Sequence, residues 1–178
     1  MTNTMQYLLE LDDRILIYVQ KKLRRPALNI WMKRISYLGN GGFIWLAAAL
    51  LLLFSSEYRH IGFAVVLAQI VGVISTNLFI KNLVARKRPF DRLSCIIPLI
   101  KKPSDWSFPS GHTTSSISAS ILLISALPLF AGIPALILGL AIAFSRMYVG
   151  VHYLSDIAGG ALMGIVSAGA ASFVVSLF

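Results

Sequence analysis

An all-α bundle of five to six membrane-spanning helices, preceded by an interfacial helical region, is the fold class that the sequence predicts. Three observations predict it. Of the 178 residues, 57% are hydrophobic and only 13% charged, with a mean hydropathy of +0.77. Soluble domains carry about 45–50% apolar and about 25% charged residues. Several stretches also run without charge for the roughly 20 residues that a span requires. Finally, those stretches are separated by short links, with no repeat or low-complexity linker between them. Backbone groups in the lipid core must pair within their own segment, so the spans are helices. The chain reads as one domain, 1–178, with an interfacial N-terminal region at 1–34 and a transmembrane bundle at 35–178.

At the start, residues 1–25 mix both signs of charge, unlike a cleavable signal peptide. Leu8, Leu11, Ile15, Val19 and Leu23 recur at helical spacing, with Glu10, Asp13, Gln20 and Lys21 between them. Two readings fit this pattern: a helix lying in the membrane interface, or a helix packed on the rest of the chain. Ile35–Ser56, Ile61–Ile80 and Ile157–Phe178 are free of charge, as is everything between Asp105 and Arg146. Pro128, Gly132 and Pro134 mark a turn inside that last run. Five spans follow, at about 37–56, 60–82, 111–127, 132–148 and 155–177. The single cysteine, Cys95, excludes an internal disulfide and gives no metal or redox spacing.

Alternation of the spans brings four ends to one face: those near Lys81, Ser110, Arg146 and Asp156. That rim carries three clusters. In the first, Lys81 and Arg88 are seven residues apart, two turns along a helix that Pro89 ends, so both are expected on one face. Together they suit an anion; singly, such cations snorkel to lipid headgroups. In the second, Ser110 is expected to cap a helix starting at Gly111, whose open backbone and free N–H groups favour phosphate, with His112 beside it. The hydroxyls from Thr113 onward read as helix packing, which small residues permit in membranes. In the third, His152 and Asp156 are four residues apart, so that on a helix the carboxylate would fix the imidazole tautomer, and Arg146 offers a planar fork for phosphate oxygens. Ionisable residues at membrane depth mark function by default, although an Asp–His pair can also brace two helices. With no HExxH, no cysteine pair and no carboxylate cluster near the histidines, a metal site is the poorer reading.

Lys81-NLVARK-Arg88-Pro89, Pro109-Ser110-Gly111-His112 and Ser145-Arg146-MYVGV-His152-YLS-Asp156 resemble the three-part signature of the type 2 phosphatidic acid phosphatase superfamily. The resemblance runs from about Lys81 to Asp156 and fills every signature position. It implies a metal-independent, cofactor-free membrane hydrolase acting on a lipid phosphate or diphosphate through a phosphohistidine. His152 would be the nucleophile, Asp156 its orienting partner and His112 the acid and then the base; Lys81, Arg88, Ser110, Gly111 and Arg146 would hold the phosphate. Undecaprenyl diphosphate is the first expected substrate, with phosphatidylglycerophosphate or phosphatidic acid as the alternative. A vanadate-dependent halide oxidase and a non-catalytic carrier of anionic lipid are remoter possibilities. The implied partners are the lipid substrate and the bilayer; no nucleic acid is implied, and nothing in the sequence reports oligomeric state.

Two expectations concern what surrounds the signature. The family commonly has six spans, so residues 8–38 are expected as short interfacial or re-entrant helices at the active face. Arg86, Lys87 and Arg92 lie beside the first motif and either receive a second phosphate or meet anionic headgroups. Sidedness meets conflicting signals. The Lys and Arg bias, including Arg24, Arg25, Lys101 and Lys102, makes the site-bearing face cytoplasmic by the positive-inside rule. The resemblance implies a multi-pass protein of the cell membrane with its site on the extracytoplasmic face.

Overall fold

A computed structural model describes residues 3–178, and every regular element among them is helical. Helix α1, Asn3–Tyr18, runs on through a π-helical turn to Leu23. Helix α2, Pro26–Leu38, opens on proline, whose missing N–H costs nothing in a first turn. A short 3-10 turn follows at Asn40–Gly42, where Gly41 and Gly42 take φ of 59° and 68°, values that glycine tolerates. There the chain bends by 50° into α3, Phe43–Leu53. Helix α4, Arg59–Val73, widens into a π-helical stretch at Ile74–Ile80 and closes as α5, Lys81–Val84. The one-turn α6, Pro89–Arg92, is followed by a loop to α7, Gly111–Ala126. Helices α8, Leu129–Tyr148, and α9, Leu154–Val175, complete the bundle.

Three stretches among the described residues are long and apolar enough to cross a bilayer: Arg59–Arg92, α8 and α9. The bent pair α2–α3 makes a fourth if it counts as one broken span. These segments make the chain a multi-pass membrane protein. The expected span at 111–127 corresponds to helix α7. Helix α7 has 16 residues, which rise about 24 Å against a hydrocarbon core of about 30 Å. It is the central post of the bundle, with α4, α8 and α9 packed around it and Thr113, Thr114, Ser116, Ser118 and Ser120 buried along it. Its hydroxyls bond within the protein: Thr114 Oγ1 donates to the Gly160 carbonyl at 3.1 Å, and Ser116 Oγ accepts from Trp45 Nε1 at 3.1 Å.

Close approach between these helices rests on glycine, because lipid offers no hydrophobic drive to bring apolar faces together. A Cβ at Gly160 would lie 2.6 Å from the Ser110 carbonyl oxygen, and one at Gly164 would lie 2.9 Å from that of Thr114. Gly160 and Gly164 of α9 thus serve contacts inside this chain.

Helix α1 packs on the bundle, but on a face one step round from the one its leucines suggest. Asp12, Leu16 and Val19 are buried, whereas Leu8 and Leu11 remain exposed. The buried face is chosen by polar partners. Gln20 Nε2 donates to the Met147 and Tyr148 carbonyls at 2.9 and 3.0 Å, and Arg24 donates to Ile97 O at 2.8 Å and Tyr148 O at 3.4 Å. Carbonyls at a helix C-terminus lack intrahelical partners, and the donors from α1 and the turn after it satisfy those of α8. The packed reading holds, and Leu8 and Leu11 leave an apolar face outward. The boundary expected at residue 34 falls inside α2.

Candidate active site

The ends of α5, α8 and the starts of α7 and α9 meet at one rim, as alternation of the spans requires. Lys81 and Arg88 arrive there by different routes, which corrects the expectation of a shared helix face. The helix stops at Val84 because Ala85 turns left-handed, φ 46°, with its N–H on Lys81 O at 2.9 Å. Residues 86–88 then lie outside any helix, and Pro89 excludes α geometry at Arg88, whose φ and ψ are −73° and 159°. The chain doubles back, and both cations converge on one carboxylate. Asp105 accepts from Lys81 Nζ through Oδ2 and from Arg88 Nη2 through Oδ1, the latter at 2.8 Å. Burial alone would raise the Asp105 carboxyl, but the Lys81 ammonium and Arg88 guanidinium outweigh it and hold it at about 2.

Arg88 is fixed from several sides. Its Nε donates to Asp105 O at 2.7 Å and its Nη1 to Val151 O at 2.8 Å. The same Nη1 lies 3.3 Å from His152 Nε2. Arg146, at the last turn of α8, donates to Ser36 Oγ from α2, while its buried Nε has no partner among the described residues. A buried N–H without an acceptor is costly, and an anion in the adjoining cavity would satisfy it.

His152 sits in the link between α8 and α9, not within a helix, so its pairing with Asp156 is a helix-start arrangement rather than one helical turn. Asp156 is the third residue of α9, and its Oδ2 accepts the Tyr153 N–H at 2.9 Å, capping that helix. The same oxygen takes the Ser107 hydroxyl and lies 3.4 Å from His152 Nδ1, near the long limit of a hydrogen bond. Burial pushes His152 down to about 4, with the Arg88 and Arg146 charges adding to it and Asp156 opposing. At neutral pH the imidazole is therefore uncharged, with Nε2 turned to the arginine side.

Ser110 caps α7, accepting from Thr113 N–H at 3.4 Å, and its own N–H donates to Asp156 O at 3.0 Å. The second and third motifs are thus joined backbone to backbone. His112 donates from Nε2 to Asn40 Oδ1 at 2.9 Å. Gly39, next to Asn40, leaves room for this: a Cβ there would lie 3.0 Å from His112 Cδ2. Two adjoining cavities share Lys81, Asp105, Gly111 and His112. One, of about 410 Å³, adds Arg88, Arg146, His152, Lys33 and Lys101. The other, of about 450 Å³, leads between the helices past Leu46, Ile70, Val73 and Ile74. Among the described residues, no group of three or more His, Cys, Asp and Glu side chains converges as a metal site would require.

All eight residues singled out from the sequence lie at this rim. Five others that serve the site were not singled out for it: Asp12, Ser36, Asn40, Asp105 and Ser107. Only Asn40 carried a local signal, within the turn-forming run Gly39–Gly42. Arg86 and Arg92 are not turned to receive a phosphate. Arg86 bonds Asp156 Oδ1 and Ser155 Oγ, both at 2.6 Å, and Asp12 Oδ2 at 2.7 Å, with its guanidinium 4.1 Å over the Tyr153 ring. Arg92 bonds Asp13 and, at 2.9 Å, the Tyr153 hydroxyl.

Comparison with known proteins finds relatives in sequence and in fold. The sequence model of the PAP2 superfamily matches residues 57–176. An undecaprenyl-diphosphatase of Sulfolobus acidocaldarius is 30% identical over 122 residues, 68% of this chain and 59% of that protein. A decaprenylphosphoryl-5-phosphoribose phosphatase of Mycobacterium tuberculosis is 33% identical over 152 residues, 84% of this chain and 82% of its own. The crystal structure of a transmembrane PAP2 type phosphatidylglycerolphosphate phosphatase from Bacillus subtilis superposes with a TM-score of 0.78 at 24% identity, covering 99% of this chain and 89% of that one. With its three motifs gathered in one pocket and the family match extending over most of its length, the chain belongs to the PAP2 superfamily.

Proposed function

We propose that this PAP2 superfamily phosphatase removes the terminal phosphate from a polyprenyl diphosphate, of which undecaprenyl diphosphate is the representative substrate. The observation that carries the reading is the placement of His152: a buried, neutral imidazole whose Nε2 faces Arg88 at 3.3 Å, beside Lys81 and Arg146, in a cavity that opens onto an apolar groove. Phosphoryl transfer depends on positioning and charge stabilisation, and these residues supply both. The relatives named undecaprenyl-diphosphatase and decaprenylphosphoryl-5-phosphoribose phosphatase support a polyprenyl carrier.

In the first step His152 Nε2 attacks the terminal phosphorus. The N–P bond forms, the bond to the bridging oxygen breaks, and His112, entering this step protonated on both ring nitrogens, passes one proton to the departing lipid phosphate. Lys81, Arg88, Arg146, Ser110 and the Gly111 backbone hold the phosphoryl oxygens as charge develops. His112, now without that proton, accepts one from water as the water attacks phosphorus, the N–P bond breaks and inorganic phosphate leaves. The protein lies in the cell membrane with this rim away from the cytoplasm. Internal bonding of Arg24, Arg86 and Arg92 removes part of the charge bias against that orientation.

Purified protein should release phosphate from undecaprenyl diphosphate with EDTA present, faster than from phosphatidylglycerophosphate or phosphatidic acid, and His152→Ala should release none. Faster turnover of either glycerophospholipid would move the assignment to that class. Release from no lipid in the panel, with His152→Ala indistinguishable, would sink the enzymatic reading. Labelling of a cysteine at Lys101 from outside intact cells, in a Cys95→Ser background, tests the orientation.

A further inference from the structure

Among the described residues, Asp105 is the one carboxylate that borders both cavities, and it bridges two of the cations assigned to phosphate. Lys81 and Arg88 are only 5% and 3% exposed, and two such charges out of water need a counter-ion. The Asp105 side chain, in contrast, is 51% exposed, so it reaches them from the solvent side. Its two oxygens take one bond from each cation, the arrangement that two oxygens of a phosphoryl group would adopt. The loop itself is held by other means: Asp105 O and Trp106 O accept from Arg88, and Ser107 N–H donates to Arg86 O at 2.9 Å. Withdrawal of the carboxylate therefore leaves the loop anchored by its backbone.

We propose that Asp105 is a displaceable internal counter-ion that competes with the substrate phosphate for Lys81 and Arg88 and so sets the affinity of the site for phosphate. The inference rests on the phosphatase reading for the identity of the anion. When phosphate binds, the carboxylate moves into water and its two hydrogen bonds pass to phosphoryl oxygens. Like charges in one cavity repel, so the displacement is obligatory for a dianion. The device keeps the cations neutralised and positioned between turnovers, and it weakens retention of the inorganic phosphate product. A purely structural brace would act in the opposite sense, since its loss would loosen Lys81 and Arg88 and weaken binding.

The test is titration of inorganic phosphate into purified protein in detergent, followed calorimetrically, for the wild type, Asp105→Asn and Asp105→Ser. The expected result is phosphate binding tighter by roughly tenfold or more in both variants, as removal of a competing charge at a partly shielded site implies. Binding that is unchanged or weaker in both, or absent from all three proteins, overturns the inference. Either variant alone suffices if the other does not fold. Lipid hydrolysis by the wild type is scored separately, so failure of the phosphatase reading and failure of the counter-ion are told apart.

Discussion

Arg86 and Asp156 are bonded at 2.6 Å, so the carboxylate behind His152 is held by an arginine that lies between the signature positions Lys81 and Arg88 of the first motif. The other arm of the same guanidinium reaches Asp12, and Asp12 Oδ1 accepts the Ser155 N–H at 2.9 Å. Helix α1 is thereby fastened to the start of α9 through buried charges. Removing one member of such a set leaves the others uncompensated, at a cost of about 3–5 kcal/mol. Arg86→Ala should lose that much stability in a denaturant titration in detergent and lose activity with it. Asp12→Asn keeps the shape and should lose less.

Activity should persist to unusually low pH. His152 is held at about 4, below the ordinary histidine value. The nucleophile must be neutral, so protonation of His152 should not lower kcat/KM through 6.5, and the loss it causes should come as pH drops toward 4. The sign for stability is the same. The folded state disfavours the protonated form, so this contribution is present above the unfolded value and is lost as pH falls toward 4. A pH profile of kcat/KM, paired with unfolding midpoints at each pH, checks both.

Asn40 orients His112 from the bend between α2 and α3. Asn40→Ala should lower kcat on the order of tenfold while leaving KM nearly unchanged, since a misplaced acid weakens proton transfer more than binding. Steady-state kinetics on the preferred lipid read the split.

Gly160→Val should force α9 away from the turn that carries Ser110, because even a Cβ would lie 2.6 Å from that carbonyl. Overpacking of this kind costs about 1–3 kcal/mol. Thermal unfolding should show the loss, and phosphate release should fall with it.

Ala85→Gly is expected to stabilise the protein. Ala85 is left-handed at φ 46°, a conformation that costs a residue with a Cβ about 1–2 kcal/mol. A higher unfolding midpoint with unchanged turnover is the expected outcome.

The helical class, the multi-pass character and the common rim could be read from apolar runs and their alternation. His112, Arg146, His152 and Asp156 could be read because charge amid such runs is conspicuous. The route of Arg88 could not, because Ala85 carries no hint of a reversed backbone. Asp105 was hidden for a related reason: a carboxylate in a polar loop looks solvated until two cations converge on it. Asp12 and Arg86 are 74 residues apart, and no local period connects them. In α1 the leucine spacing pointed to one face, but the buried face was decided by Asp12 and by the open carbonyls of α8, which are tertiary facts.

The Ser110 N–H to Asp156 O bond and the bare Gly160 surface beneath it couple two strongly separated pieces of chain without any side chain between them. Inheritance of this centre is therefore inheritance of a helix crossing. Grafting the signature residues onto another bundle would transplant nothing unless that crossing came with them.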